Sequence, residues 1–166
     1  MIRPLLRPDR EPVLDLLRAT GNFTEAELDI AAEVIDVVLD QPAQRDYHAF
    51  IDEMGAGSEA AVAGFLLVGP TPATEGTWDL YWIAVHPRHQ GSGISQRLDS
   101  FAERFVRARG GYWLIAETSS QAGYERVRAF YRKQQYDILA RIPDYYKRCD
   151  DLIVFGKRLT ADRSKP

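Results

Sequence analysis

Residues Leu80 to Leu98 read L-Y-W-I-A-V-H-P-R-H-Q-G-S-G-I-S-Q-R-L, and this stretch decides the fold of the chain. It begins with the aromatic and β-branched residues of a strand, passes through a turn with glycines at 91 and 93, and enters an amphipathic helix. The glycines let the backbone approach a ligand closely, and the unpaired N–H groups at the helix start point at the same place. Arg88, His89 and Arg97 would add positive charge there. The stretch therefore predicts a site for an anion such as a pyrophosphate.

Three classes of phosphate-binding loop share this arrangement, and their residue requirements separate them. A Walker loop needs a Lys and a Ser or Thr directly after its last glycine, whereas Gly93 is followed by Ile94 and Ser95. A dinucleotide-binding fingerprint needs a third glycine at position 96, which is Gln96. Neither class is favoured, although a nucleotide-binding regulator that uses the same loop stays open as an alternative.

The third class fits the residues well. The pattern V-x-P-x-x-Q-G-x-G-I, from Val85 to Ile94, resembles the pyrophosphate loop of the GNAT family of acyl-CoA-dependent N-acetyltransferases. Downstream, A-F-Y-R-K-Q-Q-Y from Ala129 to Tyr136 is similar to the family's helix that carries a tyrosine, here Tyr131. The resemblance implies that the chain binds acetyl-CoA as a cosubstrate.

Three positions depart from the family pattern. Ser95 stands where Gly or Ala is usual, and Tyr124 occupies the place of a frequent asparagine that contacts the cofactor. Gln135 replaces the usual glycine at the helix end, where a left-handed residue would cost roughly 1 kcal/mol. We therefore expect this helix to end in a different kind of cap.

The order of predicted elements covers nearly the whole chain and also resembles the GNAT order. It implies an α/β (α+β) fold with a mixed, mostly antiparallel central sheet and helices on both faces. The predicted strands are Ile2–Leu6, Tyr47–Met54, Ala60–Val68, Thr77–Val85, Tyr112–Ala116, Tyr136–Ile142 and Leu152–Phe155, with the second and third forming a hairpin. The predicted helices run from an Asp9 cap to Gly21, from a Thr24–Glu27 capping box to Asp40, from Gly91 to Gly110 and from Tyr124 to Gln134.

Length and composition are those of an ordinary soluble protein with one domain. The chain has 166 residues, of which 45% are hydrophobic and 27% charged, and no linker divides it. We expect a single domain over residues 1–159 and a frayed tail at 160–166. Cys149 is the only cysteine, which excludes an internal disulfide and a cysteine-based zinc site.

Charge and hydropathy exclude further classes. The 21 basic and 24 acidic residues give a net charge of −3, which does not favour nucleic acid as a partner. The longest apolar stretch, Ala60 to Val68, is far shorter than the roughly 20 residues that span a bilayer, so no membrane partner is expected and the predicted location is cytoplasmic. His86 and His89 have no apparent third ligand, so no metal is predicted.

The resemblance implies roles for residues around the reacting groups. A protonated amine must lose a proton before it attacks a thioester, and Asp79 and Glu117 are the two candidate bases. Tyr131 is the candidate acid for the leaving thiolate. Packing is the alternative for Tyr131, and ordinary solvated strand-end positions are the alternative for the carboxylates. The backbone of Ile83, Ala84 and Val85 is a candidate cofactor contact, because a bulge there would free an N–H group for the oxyanion. The other candidate cofactor contacts are Tyr124 and the loop residues Gln90, Gly91, Ser92, Gly93, Ile94 and Ser95.

Aromatic residues are the candidates for the acceptor site. Phe23 lies between the first two predicted helices, and Trp82 would border the acceptor if its side of the strand faces the cleft. Tyr145 and Tyr146 belong to D-Y-Y-K-R-C-D-D, a predicted loop whose tyrosines and three aspartates would suit a cationic amine. A solvated hairpin is the alternative for that loop.

The sequence therefore predicts an N-acetyltransferase that moves an acetyl group from acetyl-CoA to a primary amine by direct attack in a ternary complex. A small-molecule amine or amino acid is the first choice of acceptor, and a protein N-terminus or lysine is the second. A non-catalytic acyl-CoA sensor is the alternative outside enzymes. Exposed edges of a mixed sheet would also allow a homodimer.

Overall fold

The computed structural model describes residues 1–55, 57 and 60–159, and the predicted tail at 160–166 lies outside the described residues. The described residues form four α-helices and seven strands. The helices are α1 (Arg10–Thr20), α2 (Glu25–Asp40), α3 (Ile94–Arg107) and α4 (Glu125–Lys133). The strands are β1 (Ile2–Pro4), β2 (His48–Met54), β3 (Ala61–Pro70), β4 (Thr77–Val85), β5 (Trp113–Ser119), β6 (Asp137–Lys147) and β7 (Asp150–Arg158).

The seven strands follow the order β1-β2-β3-β4-β5-β7-β6. Strands β1 and β2, β2 and β3, β5 and β7, and β6 and β7 pair in antiparallel register, whereas β4 and β5 are parallel. The predicted mixed, mostly antiparallel α/β fold is confirmed. The predicted bounds of β4, Thr77–Val85, are also those of the structure.

The chain forms two compact units, and the first comprises Met1–Gly69 and Trp82–Ala102. Two of the three caps predicted for its helices are confirmed. Gly21 ends α1 with a φ of 67°, and Thr24 and Glu27 exchange hydrogen bonds as the capping box of α2. Side chains of α1, α2, β2 and β3 build its core, including Val13, Leu16, Leu17, Ile35, Ile51 and Phe65.

The second unit comprises Pro70–Tyr81 and Glu103–Pro166. Aromatic contacts hold its helices on its strands. The ring of Trp78 on β4 meets that of Phe105 on α3 edge-on, with the ring centroids 6.0 Å apart. Tyr131 on α4 lies 5.2 Å from the ring of Phe155 on β7.

Asp9 does not cap α1 with its side chain, contrary to the prediction. Its carboxylate accepts hydrogen bonds from Arg3 at 2.6 and 3.0 Å and from the Leu6 N–H at 2.8 Å. A bidentate guanidinium pair is stronger than a bond to a neutral N–H, so the carboxylate turns towards Arg3 and closes the turn ahead of the helix.

The predicted loop from Asp144 to Asp151 is mostly strand. Strand β6 continues to Lys147 and β7 begins at Asp150, which leaves only Arg148 and Cys149 in the turn. The Asp144 carboxylate accepts a hydrogen bond from the Cys149 N–H at 2.7 Å, and Cys149 has a φ of 62°. This side-chain bond permits a tight turn where the sequence indicated a longer one.

No helix among the described residues is both long enough and apolar enough to cross a lipid bilayer.

Candidate functional site

The glycine turn predicted to bind an anion joins β4 to α3 and lies wholly within the first unit. A short 3-10 turn, Pro87–His89, follows β4, and the glycines come next. Gly91 has a φ of 80° and Gly93 a φ of 82°, both in the left-handed region that favours glycine. A Cβ on Gly91 would meet nothing within 4 Å, so the backbone conformation explains this glycine better than crowding does.

The N–H groups of this turn divide into two sets. From residue 90 to residue 95, two of them donate within the turn, that of Gln90 to the Pro87 carbonyl and that of Ser92 to the His89 carbonyl, each at 3.3 Å. Within the described part of the chain, the other four N–H groups from residue 90 to residue 95 have no protein acceptor, and they belong to Gly91, Gly93, Ile94 and Ser95. These four groups lie at the start of a 14-residue helix, where the helix dipole favours negative charge.

Helix α3 is seated closely on β3 at a glycine that the sequence analysis did not single out. A Cβ on Gly64 would lie 2.7 Å from Ile94 Cγ2 and 2.8 Å from Leu98 Cδ1, and both of those side chains are fully buried. The missing side chain therefore lets the first turns of α3 approach the strand. A glycine inside the apolar run A-V-A-G-F-L-L-V signals such an approach and could have been noticed.

Arg97 does not serve as a free positive charge for the anion site. Its guanidinium donates to Asp52 Oδ2 at 2.6 and 3.1 Å, and Asp52 on β2 is only 1% exposed. A buried carboxylate needs such a partner, so this ion pair holds the first turn of α3 against β2. The sequence analysis did not identify Asp52, although an acidic residue within the apolar strand A-F-I-D-E-M indicates a buried carboxylate that needs a partner.

The two candidate bases, Asp79 and Glu117, lie on neighbouring strands of the second unit. Asp79 on β4 is opposite Ile115 on β5, and Glu117 follows two residues later, so both carboxylates project from the same face. The Thr71 hydroxyl donates to Asp79 Oδ2 at 2.8 Å, and the Tyr81 hydroxyl lies 3.4 Å from the same oxygen. Asp79 is thus held in place by hydroxyl groups.

Glu117 differs from an ordinary solvated carboxylate. Glu117 is an exposed residue, but partial burial of its carboxyl group and the negative charge of nearby Asp79 both raise its pKa. A carboxylate with a raised pKa is a stronger base than a free one. This environment suits a group that must take a proton from an amine.

Tyr131 is 4% exposed, and its ring lies 5.2 Å from the ring of Tyr136 and 5.5 Å from that of Phe130. Its ring is therefore part of the packing between α4 and the strands of the second unit. Gln135, which follows α4, has a φ of 63°, so the expectation of a different kind of cap is wrong. The Gln135 N–H donates to the Arg132 carbonyl and the Tyr136 N–H to the Tyr131 carbonyl, each at 3.0 Å, and these bonds offset the strain.

The remaining predicted site residues divide between the two units. Phe23 and Trp82 are half-buried and pack against the hydrophobic core of the first unit. Ala84 is buried, whereas Ile83 and Val85 are half-buried. Tyr124 ends a 3-10 turn directly before α4 in the second unit, and Tyr145 and Tyr146 lie on β6 instead of in a loop.

Two of the three aspartates that were expected to attract an amine have structural partners instead. Asp151 is buried, and the hydrogen bond from the Asp144 N–H and the Arg141 guanidinium hold the pKa of its carboxyl below its usual range. Asp150 is buried as well and accepts a hydrogen bond from the Ser119 hydroxyl at 2.5 Å. Buried carboxylates with such partners stabilise the start of β7 and are not available to a ligand.

The fold, the glycine turn and the sequence together define an acetyltransferase of one family. Residues 13–136 match the model of the acetyltransferase (GNAT) family, a range that contains both motifs quoted above. The chain belongs to this family, and the resemblance seen in the sequence is confirmed.

Solved structures agree with the family assignment. A protein from Desulfovibrio desulfuricans that is assigned to the GNAT family is 36% identical, with a TM-score of 0.89 over 96% of this chain and 99% of that one. An aminoglycoside 6'-N-acetyltransferase complexed with coenzyme A is 19% identical, with a TM-score of 0.74 over 99% of each chain. The ribosomal-protein-S18-alanine N-acetyltransferase of Escherichia coli is 17% identical, with a TM-score of 0.72 over 100% of this chain and 98% of that one. The last two support the fold alone, and no curated protein matches the sequence.

Proposed function

We propose that this chain is an acyl-CoA-dependent N-acetyltransferase whose residues 1–159 act as one catalytic domain. The observation that carries the proposal is the set of four N–H groups at the start of α3 that have no protein acceptor among the described residues. Their direction and the helix dipole suit a diphosphate, the group that acetyl-CoA presents. The coenzyme A complex of the structurally similar aminoglycoside 6'-N-acetyltransferase supports this choice of ligand.

In this proposal the turn and the end of β4 bind the donor. The N–H groups of Gly91, Gly93, Ile94 and Ser95 hold the diphosphate, while Gln90 and Ser92 maintain the turn through their own backbone hydrogen bonds. Tyr124 is a further contact with the cofactor. The backbone of Ile83, Ala84 and Val85 binds the acyl arm and supplies an N–H group to the carbonyl oxygen, which becomes negatively charged during the reaction.

The transfer itself needs one base and one acid. The amine nitrogen forms a bond to the thioester carbon, and the carbon–sulfur bond breaks. Glu117 accepts the proton that the amine gives up, and the Tyr131 hydroxyl donates a proton to the leaving thiolate. We choose Glu117 over Asp79 as the base because its pKa is raised, and we give Asp79 the role of raising it. No covalent enzyme intermediate is required.

A small-molecule amine or an amino acid is the proposed acceptor, with Phe23 and Trp82 as the residues that line its site. The structurally similar aminoglycoside acetyltransferase supports a small molecule. Acetylation of a protein N-terminus is the second candidate, because the ribosomal-protein-S18-alanine N-acetyltransferase has a similar fold. A panel that contains aminoglycosides, free amino acids and short peptides would separate the two.

Calorimetric titration with coenzyme A tests the donor site, and the chain offers a matched pair of variants. Gly91→Ala and Gly21→Ala both place a Cβ in open space on a backbone with positive φ, at 80° and 67°, so both carry the same strain of about 1–2 kcal/mol. We expect Gly91→Ala to weaken coenzyme A binding about tenfold and Gly21→Ala to leave it unchanged. Absence of binding by the wild-type chain at millimolar coenzyme A would refute the proposal.

Thiol release from acetyl-CoA across the panel of amines tests catalysis. An acetyltransferase releases thiol only when a suitable amine is present, and Tyr131→Phe slows that release while coenzyme A still binds. Binding without turnover for any amine, together with no effect of Tyr131→Phe, would favour the non-catalytic sensor. Tighter binding of ATP or NAD than of coenzyme A would favour the nucleotide-binding regulator.

A further inference from the structure

Thr118 on β5 carries a hydroxyl group that is buried in the second unit. The residue is 5% exposed, and its Oγ1 atom has no hydrogen-bond partner among the described residues. A hydroxyl group in this state has lost its bonds to water and gained none in return, which destabilises the folded chain. Because buried polar side chains nearly always have a partner, this exception calls for an explanation.

The other buried polar side chains at this end of β5 are bonded to protein groups. The Ser119 hydroxyl donates to Asp150 Oδ1 at 2.5 Å and accepts a hydrogen bond from the Gln121 N–H at 3.0 Å. The Arg128 guanidinium donates to the Ser119 and Gln121 carbonyls at 2.6 and 2.8 Å. The described residues thus supply partners to these neighbours and none to the Thr118 hydroxyl.

Thr118 lies on the face of β5 that α4 covers. In the pairing of β5 with β7, Thr118 is opposite Ile153 and Ala116 is opposite Phe155. Side chains alternate along a strand and paired residues share a face, so these four residues point to one side of the sheet. The ring of Tyr131 on α4 lies 5.2 Å from that of Phe155 on that side. Thr118 is two residues, about 7 Å, along β5 from Ala116.

The proposed reaction brings a polar part of acetyl-CoA to this side of the sheet. Because Tyr131 donates a proton to the leaving thiolate, the sulfur of coenzyme A must come within hydrogen-bond distance of the Tyr131 hydroxyl. The atoms next to that sulfur belong to the pantetheine arm, which contains amide groups. An amide both donates and accepts hydrogen bonds, and so does a threonine hydroxyl. An amide of the arm would therefore supply the bond that the described residues do not.

We propose that the Thr118 hydroxyl binds an amide group of the pantetheine arm of acetyl-CoA. This inference rests on the proposed function, since it takes acetyl-CoA as the donor and Tyr131 as the acid. Adjacent residues of a strand point to opposite faces, so β5 then serves both substrates. Glu117 accepts the proton of the amine on one face, and Thr118 holds the donor on the other.

Calorimetric titration of the full chain with coenzyme A and with 3'-phospho-ADP tests this bond, because 3'-phospho-ADP lacks the pantetheine arm. Thr118→Val replaces the hydroxyl by a methyl group of similar size. We expect this variant to bind coenzyme A about five- to tenfold more weakly, and 3'-phospho-ADP with the affinity of the wild type. Thr118→Ser retains a hydroxyl group and should bind coenzyme A within about twofold of the wild type.

Thermal unfolding without ligand gives a second readout. Thr118→Val removes a buried hydroxyl that has no partner among the described residues, so its midpoint should rise by about 2–4 °C. Thr20→Val is the matched control, because the Thr20 hydroxyl donates to the Leu17 carbonyl at 2.7 Å and accepts from the Asn22 N–H at 3.3 Å. That variant should lose thermal stability and bind coenzyme A as the wild type does.

Several results would overturn this inference. Wild-type affinity of Thr118→Val for coenzyme A would mean that the hydroxyl does not contact the arm. Equal losses of affinity for coenzyme A and for 3'-phospho-ADP would place the effect at the other end of the ligand. A midpoint of Thr118→Val below that of the wild type would mean that the hydroxyl has a partner in the ligand-free chain. A wild-type chain that binds neither ligand would instead refute the proposed function, and this inference with it.

Discussion

Gly64→Ala is the substitution that most directly tests how α3 is held above β3. The new Cβ would lie 2.7 Å from Ile94 Cγ2 and 2.8 Å from Leu98 Cδ1, whereas ordinary contact begins near 3.4 Å. Both side chains must therefore move away by about 0.6–0.7 Å. Neither has free space to enter, since Ile94 is 1% and Leu98 0% exposed.

The magnitude follows from two opposing effects. An extra methyl group in a packed core costs about 1–3 kcal/mol. Alanine recovers about 0.5–1 kcal/mol of backbone entropy relative to glycine. The free energy of unfolding should therefore fall by up to about 2.5 kcal/mol. Because Ile94 also contributes an N–H group to the proposed diphosphate site, a shift of this size should weaken coenzyme A binding about tenfold.

Urea unfolding and calorimetric titration with coenzyme A measure the two effects. Gly123→Ala is the control for stability, because a Cβ on Gly123 would meet nothing within 4 Å. We expect this control to unfold at the wild-type midpoint or slightly above it. Gly64→Ala could instead match Gly123→Ala in stability and the wild type in coenzyme A affinity. The close contact of α3 with Gly64 would then contribute to neither quantity, and this prediction would be refuted.

Asp79→Asn removes a negative charge that raises the pKa of Glu117, so the pKa of Glu117 should fall. The acidic limb of the kcat/KM profile should therefore move to lower pH. A limb that does not move would contradict the interaction between Asp79 and Glu117. A carboxyl group with a raised pKa in the folded state destabilises that state as the pH rises through this pKa. Glu117→Gln should therefore increase the stability against urea, relative to the wild type, more at pH 8 than at pH 4. The same variant should abolish turnover. Arg97→Gln leaves the buried Asp52 carboxylate without its guanidinium and should lower the free energy of unfolding by about 1–3 kcal/mol, which an unchanged urea midpoint would disprove. Tyr131→Phe keeps the ring packing and should preserve the thermal midpoint while kcat falls about 100-fold; an equal kcat would limit Tyr131 to packing.

Much of the fold was readable from local patterns. The capping box of Thr24 and Glu27, the left-handed Gly21 and the strand Thr77–Val85 all occur as predicted. Each depends on chemistry within a few residues, so no distant partner could change it. The glycine turn of the candidate site was predictable for the same reason, as a left-handed backbone at Gly91 and Gly93 needs no tertiary contact.

Predictions failed where a particular hydrogen-bond partner, and not the average preference of the residue type, decides the conformation. Asp9 prefers the guanidinium of Arg3 to the start of α1, and Asp151 binds Arg141 and the Asp144 N–H instead of facing solvent. Gln135 adopts the positive φ that was expected to be avoided, because backbone hydrogen bonds hold it there. Local propensity cannot weigh such partners, since it contains no information about what the fold brings near.

The sequence by itself determined the family, the order of most helices and strands, and the turn that presents N–H groups at the start of α3, because these depend on residue types at short and regular spacing. Only the tertiary structure decided that Asp79 and Glu117 share one face, that Asp52 holds Arg97, and that β7 lies between β5 and β6 and leaves β6 at the edge. Strand register and strand order arise from pairing between segments tens of residues apart. The pattern within a single strand does not specify which neighbour it will meet.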